Sequence, residues 1–127
     1  MKHLRKFNEG YREQGEQLNW NTWNNTIRRD TVPFTEEEKS YLESKKEGVK
    51  DSNYNLEIFK DYIVFEPIKF QNISHPKSEI YKHDGFFVIQ RSSMFRFHGD
   101  SYQEGSRKAF KCVGNDISDV LKNYDVL

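Results

Sequence analysis

Asp84-Gly85 constrains this chain more than any other feature, because it sits between Glu79-Ile-Tyr-Lys-His83 and Phe86-Phe-Val-Ile-Gln90. An Asp-Gly pair between two runs of apolar, aromatic and β-branched residues is a two-residue hairpin signal. Both central residues of a type I′ turn need φ > 0, which Asp and Gly tolerate best. Further on, Lys108-Ala-Phe-Lys-Cys-Val113 reads as a strand. Asn115 or Asp116 then caps a helix whose apolar residues Ile117, Val120, Leu121 and Tyr124 are spaced i, i+3, i+4, i+7. Glu79–Tyr124 is thus a folding unit, and it carries no chemical signature.

The N-terminal half reads as helices. Leu4, Phe7 and Tyr11 have helical spacing, but Gly10 and Gly15 interrupt it, so residues 1–17 read as a loosely docked arm. Trp20, Trp23 and Ile27 share one helical face, capped by Asn19 or Asn21. The two indoles have two explanations: they anchor the helix on the core, or they form an interface with Arg28 and Arg29 beside them. Thr31-Val-Pro33 breaks the chain, and Thr35 with Glu38 forms a capping box. That helix is expected from about Glu36 to Lys46, ending before Gly48, with Tyr41 and Leu42 docked.

Strand signals follow. Tyr54-Asn-Leu-Glu-Ile58 alternates, and Lys60-Asp61 reads as a turn before Tyr62–Phe65, in preference to one long strand. Pro67 stops or edges that strand, and Gln71–Ser78 reads as a loop. Met94–Phe97 alternates, His98-Gly-Asp100 ends it, and Tyr102–Ser106 reads as a connecting loop. These patterns predict one α+β domain of 127 residues: N-terminal helices, then a mostly antiparallel sheet of four to six strands. The helices are expected on one side, with the C-terminal helix packed on one sheet face. The expected core is Trp23, Ile27, Leu42, Leu56, Ile58, Ile63, Phe65, Ile80, Phe86, Val88, Phe110, Cys112, Ile117, Val120 and Leu121.

Composition excludes some classes. The net charge is zero, with 20 basic and 20 acidic residues, distributed as +2 over residues 1–30, −4 over 31–66, +4 over 67–113 and −2 over 114–127. Dedicated nucleic-acid binders are usually more basic. One cysteine permits no internal disulfide, and no apolar run approaches a membrane span. A soluble, cytoplasmic protein is the expectation. His3, His75, His83, His98 and Cys112 show no metal-ligand spacing. Ser92-Ser93 lacks a nucleophile elbow, and the glycines are isolated rather than grouped in a phosphate loop. No enzymatic chemistry, metal or cofactor is therefore expected, and Cys112 reads as a buried, inert thiol.

Two surfaces are candidates for binding. Arg91, Phe95, Arg96 and His98 interleave cations and aromatics in strands, an arrangement that stacks single-stranded nucleic acid in sheet-faced modules. Ordinary alternation, Phe inward and Arg outward, explains the same residues. Trp20, Arg28 and Arg29 form the second group, suited to a protein interface.

The opening Met1-Lys-His-Leu-Arg-Lys-Phe-Asn-Glu9, with Glu79–Val88 and Lys108–Cys112 leading into a terminal helix, resembles small accessory proteins of tailed bacteriophages, especially those of Bacteroidetes-type hosts. Phage proteins of this size often bind and block a host enzyme, including CRISPR effectors and other defence complexes. The resemblance implies a non-enzymatic protein-binding inhibitor acting in the host cytoplasm. The alternative is a small nucleic-acid-binding module using the basic, aromatic strands.

Overall fold

The computed structural model describes residues 15–52, 54–68, 74–97 and 101–123, with side chains at 67, 74–76, 93–97 and 101–106 set aside. Six strands form one antiparallel sheet. In chain order the elements are β1 (Glu16–Leu18), α1 (Trp20–Asn25), a 3-10 turn (Ile27–Asp30), α2 (Glu36–Asp51), β2 (Tyr54–Ile58), β3 (Tyr62–Pro67), β4 (Ser74–His83), β5 (Phe86–Phe97), β6 (Ser101–Lys111) and α3 (Ile117–Asn123). The sheet order is β1-β6-β5-β4-β3-β2. Strands β2 to β6 therefore form a meander, and β1 returns to close its far edge. The α+β class and the antiparallel sheet agree with the sequence reading.

Local chemistry explains the elements that were foreseen. Asp84-Gly85 joins β4 to β5 with His83 opposite Phe86, and Gly85 has φ of 87°. Lys60-Asp61 is the second two-residue turn, closed by Phe59 N–H donating to the Tyr62 carbonyl at 2.9 Å. The Asn19 side chain caps α1, accepting from the Thr22 N–H at 3.1 Å. The Asp116 carboxylate caps α3, accepting from the Asp119 N–H at 2.9 Å. At α2 the capping box is complete: the Glu38 N–H donates to Thr35 Oγ1 at 3.1 Å and the Thr35 N–H donates to Glu38 Oε1 at 2.8 Å. The same carboxylate accepts from Lys82 Nζ of β4 at 2.6 Å, tying the helix start to the sheet. Burial raises the Glu38 carboxyl, but Lys82 and the Thr35 hydrogen bonds outweigh it and hold the group below its ordinary value.

Other expectations need correction. Glu16–Leu18 is a strand rather than part of an arm, and the Leu4, Phe7, Tyr11 pattern lies outside the described residues. The helix expected to stop before Gly48 continues to Asp51, because Val49, seven residues after Leu42, buries its side chain beside it. The helix expected to carry Trp20, Trp23 and Ile27 on one face ends at Asn25 and gives way to the 3-10 turn, which holds Ile27. The Gln71–Ser78 loop is partly strand, since β4 begins at Ser74. Tyr102–Ser106 is also strand, within β6. Tyr124 and His98 lie outside the described residues.

The helices do not share one side of the sheet. Alternation along the strands sends Leu56, Ile63, Phe65, Ile80, Phe87 and Ile89 to one face, where Leu42 and Val49 of α2 and Ile117, Val120 and Leu121 of α3 cover them. The other face presents Tyr81, Val88 and Ala109 to Trp23 of α1. Thr31–Thr35 carries the chain from that second face to the first across one end of the sheet. Two hydrogen bonds strap it there: Val32 N–H to the Lys82 carbonyl at 2.9 Å and Phe34 N–H to the Lys60 carbonyl at 3.2 Å. Of the expected core, Ile27, Ile58, Phe86 and Phe110 are only partly buried. Phe34, Val49, Tyr81, Phe87 and Ile89 join it instead.

Candidate interaction surface

The α1-covered face holds the functional candidates. Trp23 is fully buried at its centre. Its indole N–H donates to Gln90 Oε1 at 3.0 Å, and its ring stands edge-on to Tyr81 with centroids 5.1 Å apart. The Tyr81 hydroxyl donates to the Glu79 carboxylate. Burial, then that hydrogen bond and the Glu79 charge, push the Tyr81 phenol well above its ordinary value, so it stays a donor. A row of rings leads outward from Tyr81: Tyr62 stacks on it at 5.1 Å, and Phe59 on Tyr62 at 4.8 Å. Phe59, at 40% exposed, is the solvent end of the row.

Cations border these rings. The Arg28 guanidinium lies 5.5 Å from the Tyr81 centroid and donates to Asn24 Oδ1 at 3.2 Å. Arg107 of β6 lies 5.1 Å from the ring of half-buried Trp20. Lys111 lies 4.9 Å from the Phe86 ring. Such contacts are worth about 0.5–1 kcal/mol at exposed sites and preorganise the cation. His83 is buried between Phe86, stacked at 4.9 Å, and Trp23 at 6.0 Å. Among the described residues its Nε2 has no hydrogen-bond partner. Burial lowers the imidazole below its ordinary value, while Asp30 pulls it upward.

The seven residues singled out from the sequence are not one surface. Trp20 and Arg28 lie together on this face, and Arg29 is exposed on the adjoining 3-10 turn. Arg91 pairs with Ser78 and Lys108, in phase with Ile89 and Phe110, so it belongs to the α2 and α3 face. Phe95 and Arg96 occupy β5 opposite Ser74 and Tyr102, but their side chains, like His98, lie outside the described residues. Sequence reading missed Arg107, Lys111 and Tyr62. The alternation Arg107, Ala109, Lys111 was the available signal for the first two.

The described residues include no group of three potential metal ligands, and Cys112 is buried with its N–H donating to the Phe87 carbonyl at 2.8 Å. No described helix is long and apolar enough to cross a membrane. No protein-family model, curated protein or solved structure matches the chain.

Proposed function

We propose that the chain is a non-enzymatic protein-binding inhibitor, phage-encoded and directed at a host defence complex such as a CRISPR effector. The observation that supports binding is the ring-and-cation surface. Trp20 under Arg107, Tyr81 under Arg28 and the exposed end of the Phe59–Tyr62 stack combine Trp, Tyr and Arg. These three residue types are enriched at interface hot spots: Trp and Tyr bury large areas with few rotatable bonds, and Arg adds a planar fork of donors. The phage origin and the target class rest on the sequence resemblance alone.

A specific observation also favours nucleic acid as a second reading: Arg28, Arg107 and Lys111 border rings of the same face. Glu57, Glu66 and Glu79, in register across β2, β3 and β4 or one row away, oppose it. Repulsion of phosphates by that acidic flank ranks this reading second.

The test is affinity capture of the tagged chain from host lysate, with and without nuclease. A discrete host protein retained after nuclease, and lost with Trp20→Ala plus Arg28→Ala, is the expected result. Recovery of nucleic acid alone would support the second reading instead.

A further inference from the structure

The outer margin of β2 is self-complementary. Phe59 and Tyr62 close the β2–β3 hairpin as a hydrogen-bonded pair. Hydrogen-bonded and non-hydrogen-bonded pairs alternate along an antiparallel ladder. The register then makes Ile58–Ile63, Leu56–Phe65 and Tyr54–Pro67 the non-hydrogen-bonded pairs. The N–H and C=O groups of Tyr54, Leu56 and Ile58 therefore point away from β3. Pro67 agrees with this phase: it has no N–H to give, and it stands where the β2 ladder asks for none. Because β2 is the last strand of the sheet, those groups line its free margin. Among the described residues, no backbone hydrogen bond from outside the β2–β3 ladder reaches them.

Along this margin, Tyr54-Asn-Leu-Glu-Ile58 has the same chemical order from either end. A two-fold axis through Leu56 sets Leu56 against the partner's Leu56 and Tyr54 against the partner's Ile58. All three outward residues of each copy then become hydrogen-bonded pairs. On the α2-covered face, the partly buried Tyr54 and Ile58 bring apolar surface to the seam. On the other face, each exposed Glu57 carboxylate meets the amide of the partner's Asn55. A slip of two places toward the hairpin would set Glu57 against the partner's Glu57, and like charges directly opposite are destabilising. Leu56 itself, 4% exposed, offers its backbone while its side chain stays in the core.

We propose that the chain associates with a second copy of itself through β2, as a two-fold dimer in which one antiparallel sheet continues through both copies. A bare edge also accepts foreign extended segments; the match of this edge to its own reverse selects the second copy. The association goes beyond the inhibitor reading and does not rest on it. Two five-residue strands bury less than the roughly 1,000 Å² that a stable interface needs, so the dimer forms only toward high protein concentration.

Sedimentation equilibrium of the full chain, from low micromolar to millimolar, tests this with Asn55→Glu, Asn55→Lys and the double variant Asn55→Glu/Glu57→Lys. Both positions are exposed in the monomer, but Asn55 stands opposite Glu66 of β3. Asn55→Glu should therefore lower, and Asn55→Lys raise, the melting temperature slightly while the fold stays intact. Asn55→Glu should weaken association about tenfold and Asn55→Lys should tighten it severalfold, because each alters a directly opposed pair. The double variant, which sets an opposite-charge pair with its sign reversed, should recover the loss of Asn55→Glu and associate at least as tightly as the parent. Amide exchange gives a readout that does not depend on the variants. In the parent, exchange at Tyr54, Leu56 and Ile58 should slow as concentration rises, while Asn55 and Glu57, bonded to β3, should not respond. A parent that stays monomeric to millimolar, a dimer indifferent to all three variants, or concentration-independent exchange at those amides would each overturn the proposal.

Discussion

Removing the indole N–H of Trp23 while keeping an aromatic ring tests the centre of the α1-covered face. In Trp23→Phe, Gln90 Oε1 loses the donor 3.0 Å away, and Gln90 is 2% exposed, so water cannot replace it. An orphaned buried acceptor costs about 1–3 kcal/mol. The smaller ring adds a cavity term of about 1 kcal/mol at roughly 24 cal/mol per Å³. The edge-on contact with Tyr81 is largely kept by Phe, so its contribution drops out. The expected loss is about 2–4 kcal/mol, summed from those terms. Gln90→Met alone leaves the indole N–H orphaned and should cost about 1–3 kcal/mol for the same reason. The double variant has neither orphan and should lose only the cavity term. Urea denaturation followed by far-ultraviolet circular dichroism on all four proteins gives the cycle. The expected coupling is at least about 1 kcal/mol in favour of the double variant. Additive losses, with coupling under about 0.3 kcal/mol, would refute the bond as a stabilising element.

Gly15→Ala should release β1 from β6. Gly15 has φ of 83°, and a Cβ there would lie 1.8 Å from the Lys111 carbonyl oxygen, so amide protection should vanish at Glu16–Leu18 and stability should fall by about 1–2 kcal/mol, the strain of a left-handed residue. Gly85→Val should lose about 1–3 kcal/mol through backbone strain alone, because nothing lies within 4 Å of the added Cβ; equal melting temperatures would misplace the turn. The His83 imidazole is lowered in the folded state, so below about pH 6.5 the unfolded chain binds the extra proton and stability falls with pH; His83→Phe should flatten that fall, and an unchanged slope would remove His83 as its source. Glu38 is held below its ordinary value, so its stabilisation is complete above about pH 4.5 and is lost as pH falls through the folded value; Glu38→Gln should shrink the acid-limb slope relative to the parent.

Features carried by short-range chemistry were legible in the sequence. Both two-residue turns and the Thr35–Glu38 box need only neighbouring residues to specify them. Trp23 is legible by its helical spacing alone, since its partners Tyr81, Val88 and Gln90 come from the sheet. β1 was not legible, because Glu-Gln-Leu becomes a strand only where Phe110 and its neighbours offer a ladder. The start of β6 was hidden for a similar reason: Ser101–Glu104 is mostly polar, yet it pairs with β5. Gly48 looked like a helix stop, but burial of Val49 outweighs the propensity loss of about 1 kcal/mol for one glycine. The candidate surface was half visible. Trp20 and Arg28 are local neighbours, whereas Arg107 joins them only through the sheet. A register shift between Ser92 and Met94 breaks simple alternation, so the face of Arg91 could not be carried along the strand to Arg96.

The pairing of β1 with β6 also bears on biosynthesis. Leu18 leaves the ribosome before its partner Ala109, which follows roughly ninety residues later, a separation at which loop closure is entropically demanding. Trp23 lacks Val88 and Gln90 until β5 emerges and Ala109 until β6 follows, and these residues form much of its burial site. Strands β2 to β5 can assemble by successive hairpins as they emerge, so the meander precedes the layer encoded before it. The nascent chain thus carries two indoles whose cover is incomplete until β6 is made. A truncated product lacking β6 would leave Trp20 without Arg107 and Trp23 without Ala109, which makes incomplete chains natural clients for chaperones and proteases.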